Sequence, residues 1–507
     1  MGVYGSSKSN VLAVMKETTP GTVVPPSGAT DYVTLQPDFE LVPGFEQLEN
    51  EEIRASIGAA KPIQGLESPE GSFSHYLKHS GVEGAAPEMN YLCESAFGST
   101  SSNATERVTD GSSTTSELSL ATGGTDFARG KAVLIKDGVN GYQIRPVHSV
   151  SGDDLTLGFN VATAPGTGIG AGKCVNFAPA NSGHPTLSIH SYRGNGQAYE
   201  ILAGAQVSEL TIEAEAGQFV NMNFAFQGTK YYFDPIRITS TNKYIDVDDG
   251  GGEINVSIEE KYYRDPHELA QALEDAINAA SGFGDVATVT YLDNDVTNAG
   301  KFTIESDGGT FEILWNTGTN AANSIGTTLG FSVAADDTGA TSYTSDSALS
   351  WAAPHTPSYD STDPMAAKYM EVLLGDAADY LCFCAQSINI SLANEVTDVL
   401  CICAESGVDQ KKVTARAVTV QMSFLLDKHD ADKFKRFRAN EETRFAFNFG
   451  TKSGGNWEAG KSGCFYMPSA VISSYSLTDL DTLVGVDMEL TGFVDSSGNG
   501  EVYLNFL

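Results

Sequence analysis

Gly455-Asn-Trp-Glu-Ala-Gly460-Lys461-Ser462 fits the G-x-x-x-x-G-K-S spacing that cradles phosphates. That chemistry needs a helix straight after the Lys-Ser pair, so that its first amides aim at the phosphates. Gly463-Cys-Phe-Tyr-Met-Pro468 is strand-like and ends in Pro, so the segment is expected to be a hairpin loop. Cys382-Phe-Cys384 and Cys401-Ile-Cys403 suggest soft-metal or redox chemistry, yet zinc knuckles use two to four residues between sulfurs. In a strand, C-x-C puts both sulfurs on one face, opposite Phe383 and Ile402. A hairpin turning near Asn394 would set Cys403 opposite Gln386, with Cys384 a diagonal neighbour. A metal or redox pair is one reading; small, inert strand cysteines is the reading adopted. Asp246-Val-Asp248-Asp249-Gly250 and Asp293-Asn-Asp295 resemble calcium loops but lack Gly at position six and Glu at twelve, and are read as turns. There is no G-x-S-x-G elbow and no H-E-x-x-H cluster. No enzyme, cofactor or metal site is therefore expected.

Charge narrows the partners. The chain has 507 residues, with 65 Asp and Glu against 30 Lys and Arg, a formal net charge of −35. Tight sequence-independent binding of DNA or RNA needs cations to replace phosphate counterions, so it is disfavoured. One basic cluster stands out: Lys428, Lys433, Lys435, Arg436 and Arg438 on a helix expected at about 428–439, around Phe434 and Phe437. It reads as a nucleic-acid patch, as a solvated helix face, or as a surface that docks on acidic parts of a neighbouring copy.

The remaining sequence says what must position these residues. Ser208, Leu210, Ile212 and Ala214 alternate with Glu209, Thr211, Glu213 and Glu215, and Met222, Phe224 and Phe226 continue the period of two. Similar hairpins are expected at 388–392 with 400–402, and at 471–477 with 484–490. Short strands near 132–135, 142–147 and 154–159 follow a Ser/Thr/Gly-rich linker at 98–124. Between the first two hairpins, Asp265, Pro266 and Glu268 start a helix whose apolar stripe is Leu269, Leu273, Ala276, Ile277 and Ala280, with Gly282 as its stop. A shorter helix is expected at 87–97. No run of 18 apolar residues occurs and Met1–Glu17 has no export-signal pattern, so neither a spanning helix nor export is expected. Seven cysteines suit a reducing compartment.

Four passages resemble the bacteriophage tail tube (major tail) protein family: Val11-Leu-Ala-Val-Met-Lys-Glu-Thr-Thr-Pro-Gly-Thr, Val207-Ser-Glu-Leu-Thr-Ile-Glu-Ala-Glu-Ala-Gly-Gln, residues 433–450, and residues 466–507. Phe311-Glu-Ile-Leu-Trp315 and Ser324-Ile-Gly-Thr-Thr-Leu-Gly-Phe331 are similar to an accessory domain of phage structural proteins. The expected fold is mainly β: a tail-tube-like sandwich or barrel core with one helix, interrupted by a small β module and an α+β module. Residues 1–98, 184–233 and 351–507 would form the core, 99–183 the β module and 234–350 the α+β module, the insertions lying outside the tube.

The resemblance implies homohexameric rings stacked into a virion tail tube, assembled in the host cytoplasm. Each subunit's sheet would join a continuous inner barrel, with a long loop reaching the next ring. Partners would be other copies, tape measure, tail terminator and distal tail proteins, and DNA in passage without tight binding; no membrane is implied. Glu209, Glu213, Glu215, Asp487 and Glu489 would face the lumen, and the basic helix would lie between subunits. A capsid decoration or baseplate-associated protein and a host-surface glycan-binding protein are the alternatives.

Overall fold

The computed structural model describes residues 5–507 apart from 53–57, 59, 195, 197, 294, 350–355, 384, 427–430, 481, 496, 497 and 499, with backbone alone at 381–383, 431 and 432. The chain is mainly β with few helices, and its compact units are residues 1–11, 190–201 and 231–355, and residues 12–189, 202–230 and 356–507.

The larger unit is organised by one antiparallel sheet. Its strands are β1 (Glu40–Val42), β2 (Glu70–Tyr76), β3 (Ala198–Glu215), β4 (Asn221–Gln227), β5 (Ala385–Leu400), β6 (Val408–Leu425), β7 (Asn456–Leu480) and β8 (Leu483–Gly492). They pair in the order β1-β2-β4-β3-β5-β6-β8-β7. Strict alternation sends one set of side chains inward: Phe73, Phe224, Leu210, Ile212, Ile390, Val420, Met422 and Met488 are all essentially buried. β7 belongs to two layers. Its first half pairs with the strands Thr443–Ser453 and Tyr503–Phe506, and only its second half with β8. The helix α1 (Asn90–Phe97) lies between the layers: Ser95 Oγ accepts from Val207 N, Ala96 O accepts from Asn394 Nδ2, and the Phe97 ring is 6.4 Å from Phe177.

The Ser/Thr/Gly-rich segment expected to be linker is a correction. Gly98–Asn103 is a strand, paired residue for residue with Cys174–Pro179. Ladder bonds are made by backbone, and exposed Ser and Thr are compatible with them, so composition alone misleads there. Arg107–Val108 and Glu117–Ser119 likewise join a six-stranded sheet with Ala132–Asp137, Gly141–Ser151, Asp154–Leu157 and Gly170–Ala171. Both faces of that sheet are covered. Val133, Ile135 and Val147 fill its own core, while Leu134, Ile144 and Phe159 pack with Leu373, Ala446, Trp457 and Tyr466 of the β7 layer.

In the other unit the helix α2 (Pro266–Ala279) starts as expected. Asp265 Oδ1 accepts from His267 N at 2.7 Å and Glu268 N at 2.9 Å, and Pro266 stands where its missing N–H costs nothing. Leu269, Leu273 and Ile277 are buried in a core with Phe302, Phe311 and Trp315. Trp315 Nε1 donates to Asp337 at 2.9 Å.

Two partly buried titratable groups tie the larger unit together. Glu88 lies 2.6 Å from His75 Nε2, accepts from Thr34 Oγ1 and from Asp360 N at 3.2 Å, and is 4.0 Å from Lys78 Nζ. Burial pushes its carboxyl up, but the bonds from His75 and Thr34 and the nearby positive charge outweigh this and hold it at about 2. A depressed carboxylate stabilises the fold above its unfolded value and loses that contribution as pH falls toward 2. Glu88→Gln should therefore cost about 2 to 3 kcal/mol at pH 7 and much less at pH 3, read by urea unfolding; an equal loss at both pH values would show that only shape matters there.

His148 joins the six-stranded sheet to the β7 layer. Its Nδ1 is 3.3 Å from Tyr466 Oη, and Arg444 Nη2 donates to Nε2 at 3.4 Å, an arrangement that suits the neutral ring. Burial first, then the Arg444 and Arg129 charges, lower its pKa from 6.5 to about 4, against a smaller pull from Asp495. Its contribution is present above pH 6.5 and fades as pH falls to 4, on the order of 1 kcal/mol once solvent screening is allowed for. His148→Gln should flatten the stability profile over that window; an unchanged slope from pH 6.5 to 4 would assign it to other groups.

Candidate functional site: the polar face of the sheet

The outward side chains of the eight strands fall into rungs. Thr211 of β3 is level with Asn223 of β4 and Ser74 of β2 on one side, and with Ser391 of β5, Thr419 of β6 and Thr491 of β8 on the other. One rung along, Glu213 is level with Asn221 and Tyr76, and with Asn389, Gln421, Glu489 and Ser474. The next runs Glu215, Ser387, Ser423, Asp487 and Ser476. Glu209 lies on the other side of the Thr211 rung, level with Ala225, Ser72 and Glu40. None of these positions holds Lys or Arg.

The sheet thus brings the expected lumen acids Glu209, Glu213, Glu215, Asp487 and Glu489 onto one face, from hairpins more than 270 residues apart in sequence. The two from β8 are held in place: Ser423 Oγ donates to Asp487 at 2.6 Å and Gln421 Nε2 to Glu489 at 3.0 Å. Ser391 Oγ donates to Glu209 at 3.2 Å. Open hollows on this face are lined by Glu213, Glu215 and Asn389, and by Gln421, Asp487 and Glu489. Sequence reading missed Glu40, Glu70 and the amides between the acids. The signal was present, since Glu70, Ser72 and Ser74 alternate with buried Gly71, Phe73 and His75.

The basic helix divides. Lys428 lies outside the described residues. In α3 (Ala431–Ala439), Lys433 is buried with its Nζ 4.4 Å from the Phe424 ring centroid. Arg436 is buried too, 3.4 Å from Asp376. Lys435 and Arg438 are the exposed cations of the helix.

The other motifs carry no site. Gly454 and Gly455 make the turn between Thr443–Ser453 and β7, and Lys461 and Ser462 lie within β7, with no helix after them. β5 does not turn near Asn394 but runs on to Leu400, and the turn is formed by residues 401–407. That corrects the expected placement of Cys403 opposite Gln386. It also corrects the strand reading of Cys401 and Cys403, which stand in the turn, half-buried and exposed. Long pairing continues past Asn394 because Val396–Leu400 finds partners in Val408–Val413. Cys384 lies outside the described residues. Burial pushes the Cys174 thiol up to about 11 and those of Cys93 and Cys464 higher still, as expected of inert core cysteines. Asp248 accepts from the Gly250 and Gly252 amides, a turn as expected, whereas Asp246 is buried in a strand and accepts from Asn320 N. Among the described residues no cluster of His, Cys, Asp or Glu could hold a metal, and no helix is long and apolar enough to cross a membrane.

Comparison with curated proteins finds no match. Residues 7–249 match the family model for phage tail tube proteins. The matched stretch contains β1 to β4 and the acids of β3, and the sheet continues unbroken from β3 into β5 through seven paired residues. Over residues 7–249 this chain is therefore similar to phage tail tube proteins, which supports a structural role in a virion tail.

Proposed function

We propose that the subunits form sixfold rings stacked into a tube, with the polar face of β1 to β8 lining the lumen and DNA passing over it at ejection. The observation that carries this reading is the charge of the middle of that face: acids spaced mostly among Ser, Thr, Asn and Gln, and no cation on the four rungs from Glu209 to Glu215. A surface that binds DNA must replace condensed counterions with Lys or Arg; this one offers phosphates nothing and repels them. The opposite face is buried, so it is not available for such a role. The sheet is also open at its edges: among the described residues, Ser474–Leu480 of β7 pairs with β8 on one side alone. An unpaired strand edge is satisfied when a neighbour's sheet joins it, and repetition around a ring leaves no edge at all. The same tube would meet other tail proteins at its ends.

The test is charge reversal on the central rung. Glu213→Lys with Glu489→Lys places cations at exposed or half-exposed positions, so folding and tube formation should survive. Triggered DNA release from virions carrying the variant should slow at least tenfold and regain speed with added salt, because each new phosphate contact adds about one unit to the salt dependence. Unchanged release, or electron-microscopy density placing β3 and β8 on the outer wall, would reject the lumen assignment.

A further inference from the structure

Residues 401–407, which join β5 to β6, are held by their own backbone. Cys401 N donates to Gly407 O at 3.0 Å, Ala404 N to Cys401 O at 3.1 Å, and Gly407 N to Ala404 O at 3.0 Å. Ser406 Oγ donates to Val408 O at 2.9 Å, and Ser406 O accepts from Glu67 N at 3.1 Å, which ties the turn to the strand Ile63–Glu67. The bond from Ala404 to Cys401 closes a four-residue turn, so Cys401 and Cys403 are its first and third residues.

That placement decides what the pair can do. In an extended strand, residues two apart stand roughly 6.5 to 7 Å apart at Cα, at the long end of what a disulfide spans. A turn bends the two Cα–Cα steps between them and leaves roughly 5 to 6 Å, where disulfides are commonest. Solvent reaches both thiols: Cys403 is exposed, Cys401 is half-buried, and Ile402 between them is fully exposed. Cys93, Cys174 and Cys464 are buried and keep their protons, so among the described thiols this pair is the one that a dissolved oxidant can meet.

We propose that Cys401 and Cys403 close reversibly into a disulfide within this turn when a low-molecular-weight disulfide is in excess. The thiolate of Cys403, the more exposed sulfur, attacks one sulfur of the oxidant and releases its other half as a thiolate. The thiolate of Cys401 then attacks Cys403 Sγ, which closes the ring and releases the second half. Two electrons pass from the cysteines to the oxidant, and the two protons given up by the cysteine thiols go to the released thiolates. An exposed disulfide is the labile kind, so a reducing glutathione pool keeps the ring open and an oxidising exterior closes it. Closure caps two thiols that could otherwise cross-link copies. This chemistry belongs to the turn itself and holds whether or not the subunits form a tube.

The test treats full-length folded protein with oxidised glutathione, quenches with acid and cuts with glutamyl endopeptidase, whose 396–405 peptide holds Cys401 and Cys403 and no other cysteine. By mass spectrometry that peptide should lose the mass of two hydrogen atoms, and regain it under reduced glutathione. Cys401→Ser should stop at a glutathione adduct on Cys403. Ring closure should run about tenfold faster in the folded chain than in the same chain in urea, because the turn presets the two sulfurs. Closure no faster in the folded chain would overturn the role of the turn. A lasting glutathione adduct on the wild-type protein, or a disulfide to another copy, to Cys382 or to Cys384, would overturn the ring.

Discussion

The register between β3 and β5 is the constraint on which the larger unit depends. Glu209 to Glu215 pairs with Ala393 to Ser387 without a bulge, and this ladder joins strands about 180 residues apart in sequence. Because the side-chain period in a strand is two, a slip of one residue would carry Leu210 and Ile212 to solvent and Glu209, Thr211 and Glu213 into the core. Burying even one unpaired carboxylate costs several kcal/mol, so the acids that give the face its character also enforce the register behind it. The same condition propagates through β6 and β8, where Val420 and Met488 point inward and Gln421 and Glu489 outward. Polar face and apolar core are one decision, made once and copied across eight strands.

What the sequence made legible follows from this. Alternation is local, so the strands around Glu209–Glu215, Met222–Phe226 and Val484–Leu490 could be read with their faces. The start of α2 was equally plain, since a cap is a matter of four adjacent residues. Pairing over long separations leaves no local trace. Nothing in Gly98–Asn103 announces that its backbone will bond to Cys174–Pro179, and nothing near Asn394 says that β5 continues to Leu400. The basic helix shows the same limit at a finer scale. Five cations in a short stretch look alike as letters, but Lys433 is spent on the Phe424 ring and Arg436 on Asp376, leaving Lys435 and Arg438 facing outward among those described.

The unit also shows how a second sheet is absorbed into one body. The six-stranded sheet alternates Val133 and Ile135 on one face with Ala132 and Leu134 on the other, and both faces are buried. One face closes a private core. The other shares Phe159, Tyr466 and Trp457 with the β7 layer, and His148 bonds across the same junction. A sheet that would be marginal with one face exposed to water is stabilised by the layer it covers, while the β7 layer gains a roof of Leu134 and Ile144. That is why a segment rich in Ser, Thr and Gly folds here as part of the larger unit.

The spacing of the acids completes the physical account of the face. Glu213 and Glu489 share a rung but stand three strands apart, with Asn389 and Gln421 between them. At about 4.8 Å per strand the separation is roughly 14 Å, well beyond the screening length of about 8 Å at physiological ionic strength. Mutual repulsion between them is therefore small, and the sheet pays little in stability for carrying both. A mobile polyanion over these four rungs would experience the charges collectively, without a cation among them. Neutral amides and hydroxyls between the acids keep the middle of the face hydrated, with the Tyr76 and Phe219 rings, 5.2 Å apart, as an aromatic pair beside Glu213. Glu213 with Glu215, and Asp487 with Glu489, stand closer, two residues apart on one strand, so the acids are spread across the strands and concentrated along them.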